Sequence, residues 1–576
     1  MDKKQISKIL TEMALLMEIK GDNPFKIRAH ENAARILDGL GENLAELAAA
    51  GKLTGIKGIG QGMADKITTL LSDQPLEEYD RLKKAIPAGL LEIARIPGMG
   101  PKKVKAVWQE LNITNLEELE AAGKADRLSG MKGFGAKTQE KILENIELMK
   151  RFQDRYLISE GETAAASLYQ ALKDQPGVIR CEIAGSVRRR KETIGDLDLV
   201  VSAEDRHRAA IMDFFTTLPG VETVKSKGDT KSTALLSSGI SADLRIVSDA
   251  QFPYLLHHST GSKEHNVAMR QRAIQQGLKL NEYGLFRDET NISCADEEAI
   301  FRELGLDFIP PELRENYGEI EAAAQQTLPK LLEMNDLRGV IHTHTLWSDG
   351  VHSVEEMARA AQKLGYEYLV ISDHSKVAAY ANGLNAERVK QQQAEIDAVN
   401  ARMDNFRILK SIECDILGDG TLDFPDEVLA TFDLVIASIH SKFGMTRDEA
   451  TRRLIRAMEN PYVTVLGHPT GRLLLAREGY AIDHHAVIDA AAELGVCIEI
   501  NANPRRLDLD WRFLKYAKEK RVQIAISPDA HRIEGYDDVR YGVGIARKGW
   551  LEKDDVLNTR TAEGVLAFAR KRRQQN

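Results

Sequence analysis

"VIHTHTLWSDG" (residues 340–350) runs from apolar residues straight into His342, His344 and Asp349. Side chains alternate faces along a strand, so H-x-H at a strand end aims both imidazoles the same way and can grip one ion. The same spacing also fits a pair of surface imidazoles, and the rest of the chain has to choose. The pattern recurs. Short apolar runs alternate with helix-like stretches, and each run ends in polar residues: "YLVISDH" in Asp373 and His374, "RILKSIECD" in Glu413 and Asp415, "LVIASIH" in His440. "VTVLGH" ends in His468, "VCIEINAN" in Asn501 and Asn503, and "VQIAISPDAH" in Asp529 and His531. Buried apolar strands alternating with helices predict a parallel sheet. Seven such units predict a barrel, whose chemistry sits at the C-terminal ends of the strands.

Six of the fourteen histidines, with Asp349, Glu413 and Asp529, fall at those ends. His484 and His485 lie instead in a helical stretch and read as structural or solvent-facing. Imidazole-rich, carboxylate-bridged sets suit Mn²⁺, Zn²⁺ or Fe²⁺ better than Mg²⁺. The lack of thiolates points to a catalytic rather than a structural metal site. Nine ligands exceed what one ion needs and match two or three, with Glu413 as a bridge. Clustered metals of this kind suit phosphoester hydrolysis. Lys376, Lys442 and Arg505 follow strand ends and could meet a phosphate or simply solvent.

The 576 residues, 43% apolar and 29% charged, are too many for one core and fit a multidomain globular protein. No run of 18 apolar residues marks a membrane span, and the first helix is too acidic for a signal peptide. Four cysteines, widely spaced and without C-x-x-C, argue for a reducing compartment and against a disulfide framework. A net charge of −9 gives no global attraction for nucleic acid, so any such binding has to rest on local features.

Three such features recur: "GIKGIGQGMADKI" (55–67), "RIPGMGPKKVKAVW" (95–108) and "GMKGFGAKTQEKIL" (130–143). Each pairs glycines around an apolar residue (Gly58/Gly60, Gly98/Gly100, Gly133/Gly135) before an amphipathic helix, an arrangement that turns backbone N–H groups toward an anion. Lys102, Lys103 and Lys137 follow two of the turns. A single copy would be a plain helix connection; three copies predict sequence-independent DNA binding, and they resemble helix-hairpin-helix modules.

In "IAGSVRRRKETIGDLDLVVS" (183–202), Asp196 and Asp198 share one face of a predicted strand. Burying two carboxylates together is costly unless cations neutralise them. Gly185 and Ser186 offer a small residue and a hydroxyl to a triphosphate, and Asp243 in "ISADLRIVS" supplies a third carboxylate. The "RRRK" run reads equally well as a solvated basic turn.

With "NPFKIRAHENAARIL" (23–37), "STGSKEHNVAMRQRA" (259–273) and "LNEYGLF" (280–286), these motifs resemble a family X DNA polymerase over residues 1–320. The histidine set resembles the polymerase-and-histidinol-phosphatase (PHP) domain over 336–570. The resemblance implies a helical hairpin region, an α/β nucleotidyltransferase palm with a thumb, and a distorted (βα)7 TIM-like barrel. Its domains would be 1–85, 86–150 (fingers), 151–255 (palm), 256–317 (thumb), a linker helix at 318–337, and 338–576 (PHP). It makes Asp196, Asp198 and Asp243 catalytic metal ligands, with Mg²⁺ or Mn²⁺. Gly185, Ser186, Arg189 and Gly195 would hold the nucleotide, with Asn266 and Arg270 facing the nascent pair. The implied partners are gapped or primer–template DNA and dNTPs, in a monomer of the prokaryotic cytoplasm and nucleoid. Gap filling in base excision repair and 3′→5′ exonuclease action would follow, with abasic-site processing as a secondary action; the alternatives are a DNA-end-processing nuclease with a weak or inactive polymerase half and a small-molecule phosphatase. Lys66 stands where some relatives carry a lyase nucleophile, but Gly62 replaces a basic phosphate ligand. His258-Ser259 replaces an aromatic pair that walls the sugar.

Overall fold

The three glycine repeats fold into three copies of one turn. Gly58, Gly98 and Gly133 take φ of 101°, 88° and 87°, the left-handed region where a Cβ is strained. In each turn the N–H of the intervening residue (Ile59, Met99, Phe134) donates to the carbonyl three residues back, at 3.0, 2.9 and 3.0 Å, and its side chain is buried. Gly60, Gly100 and Gly135 are the extended N-caps of helices Gln61–Leu71, Pro101–Leu111 and Ala136–Arg151. None offers a side-chain cap, so the first N–H groups of each helix stay open to an outside acceptor. Lys102 and Lys137 are exposed beside these ends. Lys103 instead donates to the Gly98 carbonyl (3.0 Å) and lies over the Phe134 ring, tying the second hairpin to the third.

The computed structural model describes residues 1, 3–40, 43–72 and 74–574 and divides into two units, Met1–Gln153 and Asp154–Asn576. The first is helical throughout its described residues. The second opens with a five-stranded sheet in the order Val178–Ile183, Asp196–Ala203, Ser241–Val247, Lys231–Leu236, Val221–Lys227. Asp196–Ala203 and Ser241–Val247 run parallel and the other pairs antiparallel. Helices Ile158–Lys173 and Asp205–Thr216 contribute Leu168, Leu172 and Phe215 to the core on the face that Leu197, Leu199 and Val201 present. Helix Phe252–Thr260 covers Val200 and Val247 and runs across position 255/256 into the thumb.

The stretch 318–337 differs from the expected linker helix. Only Glu319–Ala324 is α-helical, with a single 3-10 turn at Met334–Asp336; Gln326 adopts a left-handed φ of 58° and Pro329 follows, which ends the α-helix. The remainder is built into the fold rather than bridging it. Leu331 and Leu332 are buried, and Leu332 N–H donates to the Leu551 carbonyl at 3.0 Å.

Seven parallel strands follow: Gly339–Thr343, Tyr368–Ile371, a third in two pieces (Arg407–Lys410 and Glu413–Asp415), Ile436–Ser438, Val465–Leu466, Cys497–Asn501 and Ile524–Ser527. The barrel closes where His344 N–H donates to the Ala530 carbonyl (2.9 Å) and Ala530 N–H to that of His342 (3.3 Å). The apolar core under the palm sheet continues into the barrel through Leu466, Ile498 and Ile524. No helix among the described residues is long and apolar enough to cross a membrane.

The hairpin geometry carries its own test. A Cβ at Gly98 meets no atom within 4 Å, so Gly98→Ala costs backbone strain alone. The variant should lose about 1–2 kcal/mol of stability in chemical denaturation. An unchanged midpoint would show that the turn relaxes to another conformation.

Candidate metal centres and nucleotide loop

Glu413 stands at the bend of the broken third strand and is 1% exposed. Its two oxygens face five imidazoles: His342 Nε2 (3.4 Å), His344 Nε2 (3.8 Å), His374 Nδ1 (2.8 Å), His440 Nε2 (3.2 Å) and His468 Nε2 (3.0 Å). Asp349 lies 3.3 Å from His531 Nε2, 3.7 Å from His374 Nε2 and 3.9 Å from His344 Nδ1. Asp529 lies 3.1 Å from His344 Nε2 and 3.7 Å from His342 Nε2. The nine side chains singled out in the sequence thus meet at one mouth of the barrel. Three groups have donor atoms within 4.8 Å of one another: His344/Asp349/His374/His531, His342/His344/Asp529 and His374/Glu413/His440. His468 joins through Glu413.

Only part of this proximity is hydrogen bonding: His468 Nε2 pairs with Glu413 Oε1 at 3.0 Å and His344 Nε2 with Asp529 Oδ1 at 3.1 Å. His374 Nδ1 and Glu413 Oε2 are 2.8 Å apart, yet each is buried without a hydrogen-bond partner, as are His342 Nε2 and His344 Nδ1. Lone pairs left orphaned and convergent fit a shared cation, since an unsatisfied buried polar atom is otherwise costly. The electrostatics agree. Burial favours a neutral Glu413, but His440 and His374 outweigh it and hold the carboxyl well below the usual range. Burial likewise opposes charge on His440, and Glu413 with Asp415 overcomes it, raising the imidazole to about 10.

The local backbone differs from the expected regular strand. His342 sits at a register shift between Val340 and Thr343 with φ 68°, and Asp529 has φ 52°. A bulge, not plain alternation, turns both imidazoles of H-x-H inward, with ring centroids 5.3 Å apart. Asp373 accepts from Thr345 N–H (2.8 Å), Thr345 Oγ1 (2.7 Å), Ser348 Oγ and Gln392, pinning the loop that carries Asp349. Glu499 escaped the sequence reading. It is fully buried, accepts from His342 Nδ1 at 2.6 Å and from His468 N–H at 2.7 Å, and so directs His342 Nε2 to the centre. An acid between Ile498 and Ile500 was its signal. Asn501 donates to Asp529 (3.0 Å), and Arg506, rather than Arg505, comes within 3.8 Å of that carboxylate. His484 stacks on Phe513 and His485 packs on Tyr516, both away from the cluster.

In the palm, Asp198 and Asp243 stand opposite each other on the parallel strands, and Asp196 precedes them at the strand's start. These three do not gather as tightly as the histidine groups. Lys231 Nζ lies 2.7 Å from Asp243 Oδ2, and Thr233 Oγ1 donates to Oδ1 at 2.6 Å. Burial, reinforced by Asp196 and Asp243, pushes the Asp198 carboxyl up to about 7. Gly185 (φ 62°) backs directly onto it: a Cβ there would meet Asp198 Oδ2 at 2.2 Å. Acids on adjacent strands suit a hard divalent cation. Ser186 is half-buried in the short helix Gly185–Arg188, and Gly195 borders Arg155.

The arginine run is no solvated turn. Arg188 pairs with Glu297 (2.6 Å), Arg189 with Glu315 (3.1 Å) and the Thr260 carbonyl, and Arg190 with Glu162. Arg189 is therefore already engaged by protein groups where the resemblance assigns it to a triphosphate. Asn266 donates to the His258 carbonyl (2.8 Å), and Arg270 is exposed one turn on. In the helical unit Lys66 Nζ lies 2.8 Å from His30 Nε2 and 2.5 Å from Glu78.

Four family models match this chain: a helix-hairpin-helix domain over residues 1–75, a SAM-like helix-hairpin-helix tandem over 90–147, the DNA polymerase beta thumb over 255–315 and the PHP domain over 341–503. A Bacillus subtilis (strain 168) protein named DNA polymerase/3′-5′ exonuclease PolX is 40% identical over 575 residues, covering 99% of this chain and all of that one. A "Probable phosphatase" of Thermoanaerobacter sp. (strain X514) is 33% identical over 230 residues, 38% of this chain and 89% of its own. Leishmania infantum polymerase beta in a ternary complex aligns at 21% identity over 39% of this chain and 98% of its own, with a TM-score of 0.26 that decides nothing. The full-length identity does decide: this chain belongs to the family X DNA polymerases that carry a C-terminal PHP domain.

Proposed function

We propose that the chain is a template-directed DNA polymerase joined to a metal-dependent 3′→5′ exonuclease, filling gaps in DNA repair and trimming primer ends. One observation carries the nuclease half: five imidazoles face the buried Glu413, and atoms of His342, His344, His374 and Glu413 itself are buried there without a hydrogen-bond partner. The polymerase half is supported by Asp198 and Asp243 in register beside Gly185. Its substrates on this reading are primer–template or gapped DNA and dNTPs, and it acts as a monomer in the bacterial cytoplasm.

Asp196, Asp198 and Asp243 would hold Mg²⁺ or Mn²⁺, and the barrel residues two or three ions of Mn²⁺, Zn²⁺ or Fe²⁺. Bound there, divalent cations supply charge neutralisation for phosphoryl transfer and a water acidified enough to attack a phosphodiester. The protein's own part is positional. Glu499 and Asp415 fix the rings of His342 and His440 through their Nδ1 atoms, leaving both Nε2 atoms facing Glu413. The half-exposed Asp349 and His531 mark the open side through which a strand end would enter. Backbone amides of the three hairpins would hold phosphates without reading bases, with Lys102 and Lys137 adding salt-sensitive attraction. Lys66 stays a candidate lyase residue, with its amine paired to Glu78. The similarity of the barrel half to a "Probable phosphatase" supports a second reading, hydrolysis of small phosphomonoesters.

Single substitutions should separate the activities. Asp243→Asn should abolish primer extension and leave degradation of single-stranded DNA intact; His374→Ala should do the reverse. Loss of both activities in either variant, with the fold preserved, would end the division of labour. Hydrolysis of a free phosphomonoester that outpaces any oligonucleotide would favour the phosphatase.

A second expectation concerns pH. With its folded pKa raised from 3.8 to about 7, Asp198 keeps its proton in the folded chain while the unfolded chain releases it. Metal-free protein should therefore lose stability as pH rises through that window, by about 4 kcal/mol at roughly 1.4 kcal/mol per pH unit. Asp198→Asn should flatten the decline in thermal melts followed from mildly acidic to mildly basic pH. Parallel curves for the two proteins would show that burial and the neighbouring carboxylates do not hold a proton on Asp198.

A further inference from the structure

Helix Val539–Lys548 belongs to the barrel, yet one of its faces serves the polymerase half. Arg540, Gly544, Arg547 and Lys548 follow the i, i+4, i+7, i+8 spacing of a single stripe. Arg540 approaches Glu162 (3.7 Å), the Arg190 side chain lies across Gly544, and Arg547 pairs with Glu312 (2.8 Å). Lys548 goes deepest. Its side chain is fully buried, and its three protons find three acceptors: Glu315 Oε1 (2.5 Å), the Arg189 carbonyl (3.1 Å) and the Glu312 carbonyl (3.3 Å). None of the three lies in the barrel. Burying an ammonium costs several kcal/mol unless its partners are well placed, and no part of the histidine cluster touches this one.

The link runs on to the nucleotide loop. Glu315 is 10% exposed and shared by Lys548, Arg189 (3.1 Å) and Lys191 (3.8 Å). Whatever charge Lys548 satisfies on Glu315 is charge that Arg189 need not. We propose that Lys548 is a positioning residue of the polymerase reaction, supplied by the PHP barrel: it holds Glu315 so that Arg189 can release that carboxylate and meet the incoming triphosphate. This rests on the proposed nucleotide role of Arg189. Without Lys548, Glu315 would draw Arg189 fully to itself, because a buried carboxylate left with fewer cations binds the remaining one harder.

The test uses full-length protein and steady-state primer extension. Lys548→Met should raise the KM for dNTP roughly tenfold, the effect of redirecting one charge-assisted contact, with kcat and exonuclease rate nearly unchanged. Lys548→Arg should restore a near-native KM. The decisive variant is the double substitution Lys548→Met with Glu315→Gln, which should recover dNTP affinity because the competing charge is gone. An unchanged KM in Lys548→Met overturns the proposal; so does a loss that the double variant fails to repair, since that describes a merely structural lysine. Arg189→Met separates the two layers. If it leaves the dNTP KM unaltered, the assignment of Arg189 is wrong; if it raises the KM while Lys548→Met does not, only the role of Lys548 falls.

Discussion

One carboxylate facing five imidazoles is the constraint around which the barrel is arranged. Glu413 is buried, and a lone charge at its depth would cost several kcal/mol. The surrounding structure reads as the means of keeping it ionised and its neighbours aimed. The third strand breaks at Ser411–Ile412 to deliver it, His342 and Asp529 take left-handed φ angles, and Glu499 grips the far side of His342. Left-handed backbone at a non-glycine residue is energetically unfavourable, and at His342 and Asp529 the closing hydrogen bonds to Ala530 help to hold it.

The two halves of Asp154–Asn576 meet the same electrostatic problem with different chemistry. In the palm the acids lie on adjacent strands, Asp196 exposed and Asp198 and Asp243 half-buried, and Lys231 supplies a permanent cation. An ammonium cannot ligate a metal, so any ion there must share Asp243 with it or displace it. In the barrel the counter-groups are imidazoles, which neutralise when protonated and ligate when neutral. Carboxylate oxygens suit hard cations, whereas an imidazole-rich set suits borderline ones.

That the barrel's histidines and acids would gather was legible because all but Asp349 stand at or beside the end of an apolar run, and strand ends are where a parallel barrel exposes polar groups. Glu499 was missed for the same reason: it lies inside a run, and the reading attended to the ends. The helix expected over 318–337 failed because its alanine-rich start was extended past Gln326 and Pro329, and because Leu331 and Leu332 pack on the barrel. The arginines were ambiguous for a deeper reason. Arg188 finds Glu297 across 109 positions and Arg189 finds Glu315 across 126, pairings that no local pattern encodes. Composition alone cannot tell a solvated basic turn from the hub of a buried network.

That hub explains why palm, thumb and barrel form one unit rather than three beads. Consecutive side chains of one short helix and its cap reach three different elements: Arg188 the thumb helix Glu297–Glu303, Arg189 the Glu315 turn, Arg190 the palm helix Ile158–Lys173. Glu297 shows how strong the hold is. Burial would raise its carboxyl, yet Arg314 and Arg188 bring it down to about 2. Glu297 and Glu315 both lie in the thumb stretch, so any displacement of that stretch from Arg188 and Arg189 would have to break these ion pairs. Lys548 adds a barrel charge to the same network, so nucleotide loop, thumb and barrel share one set of carboxylates.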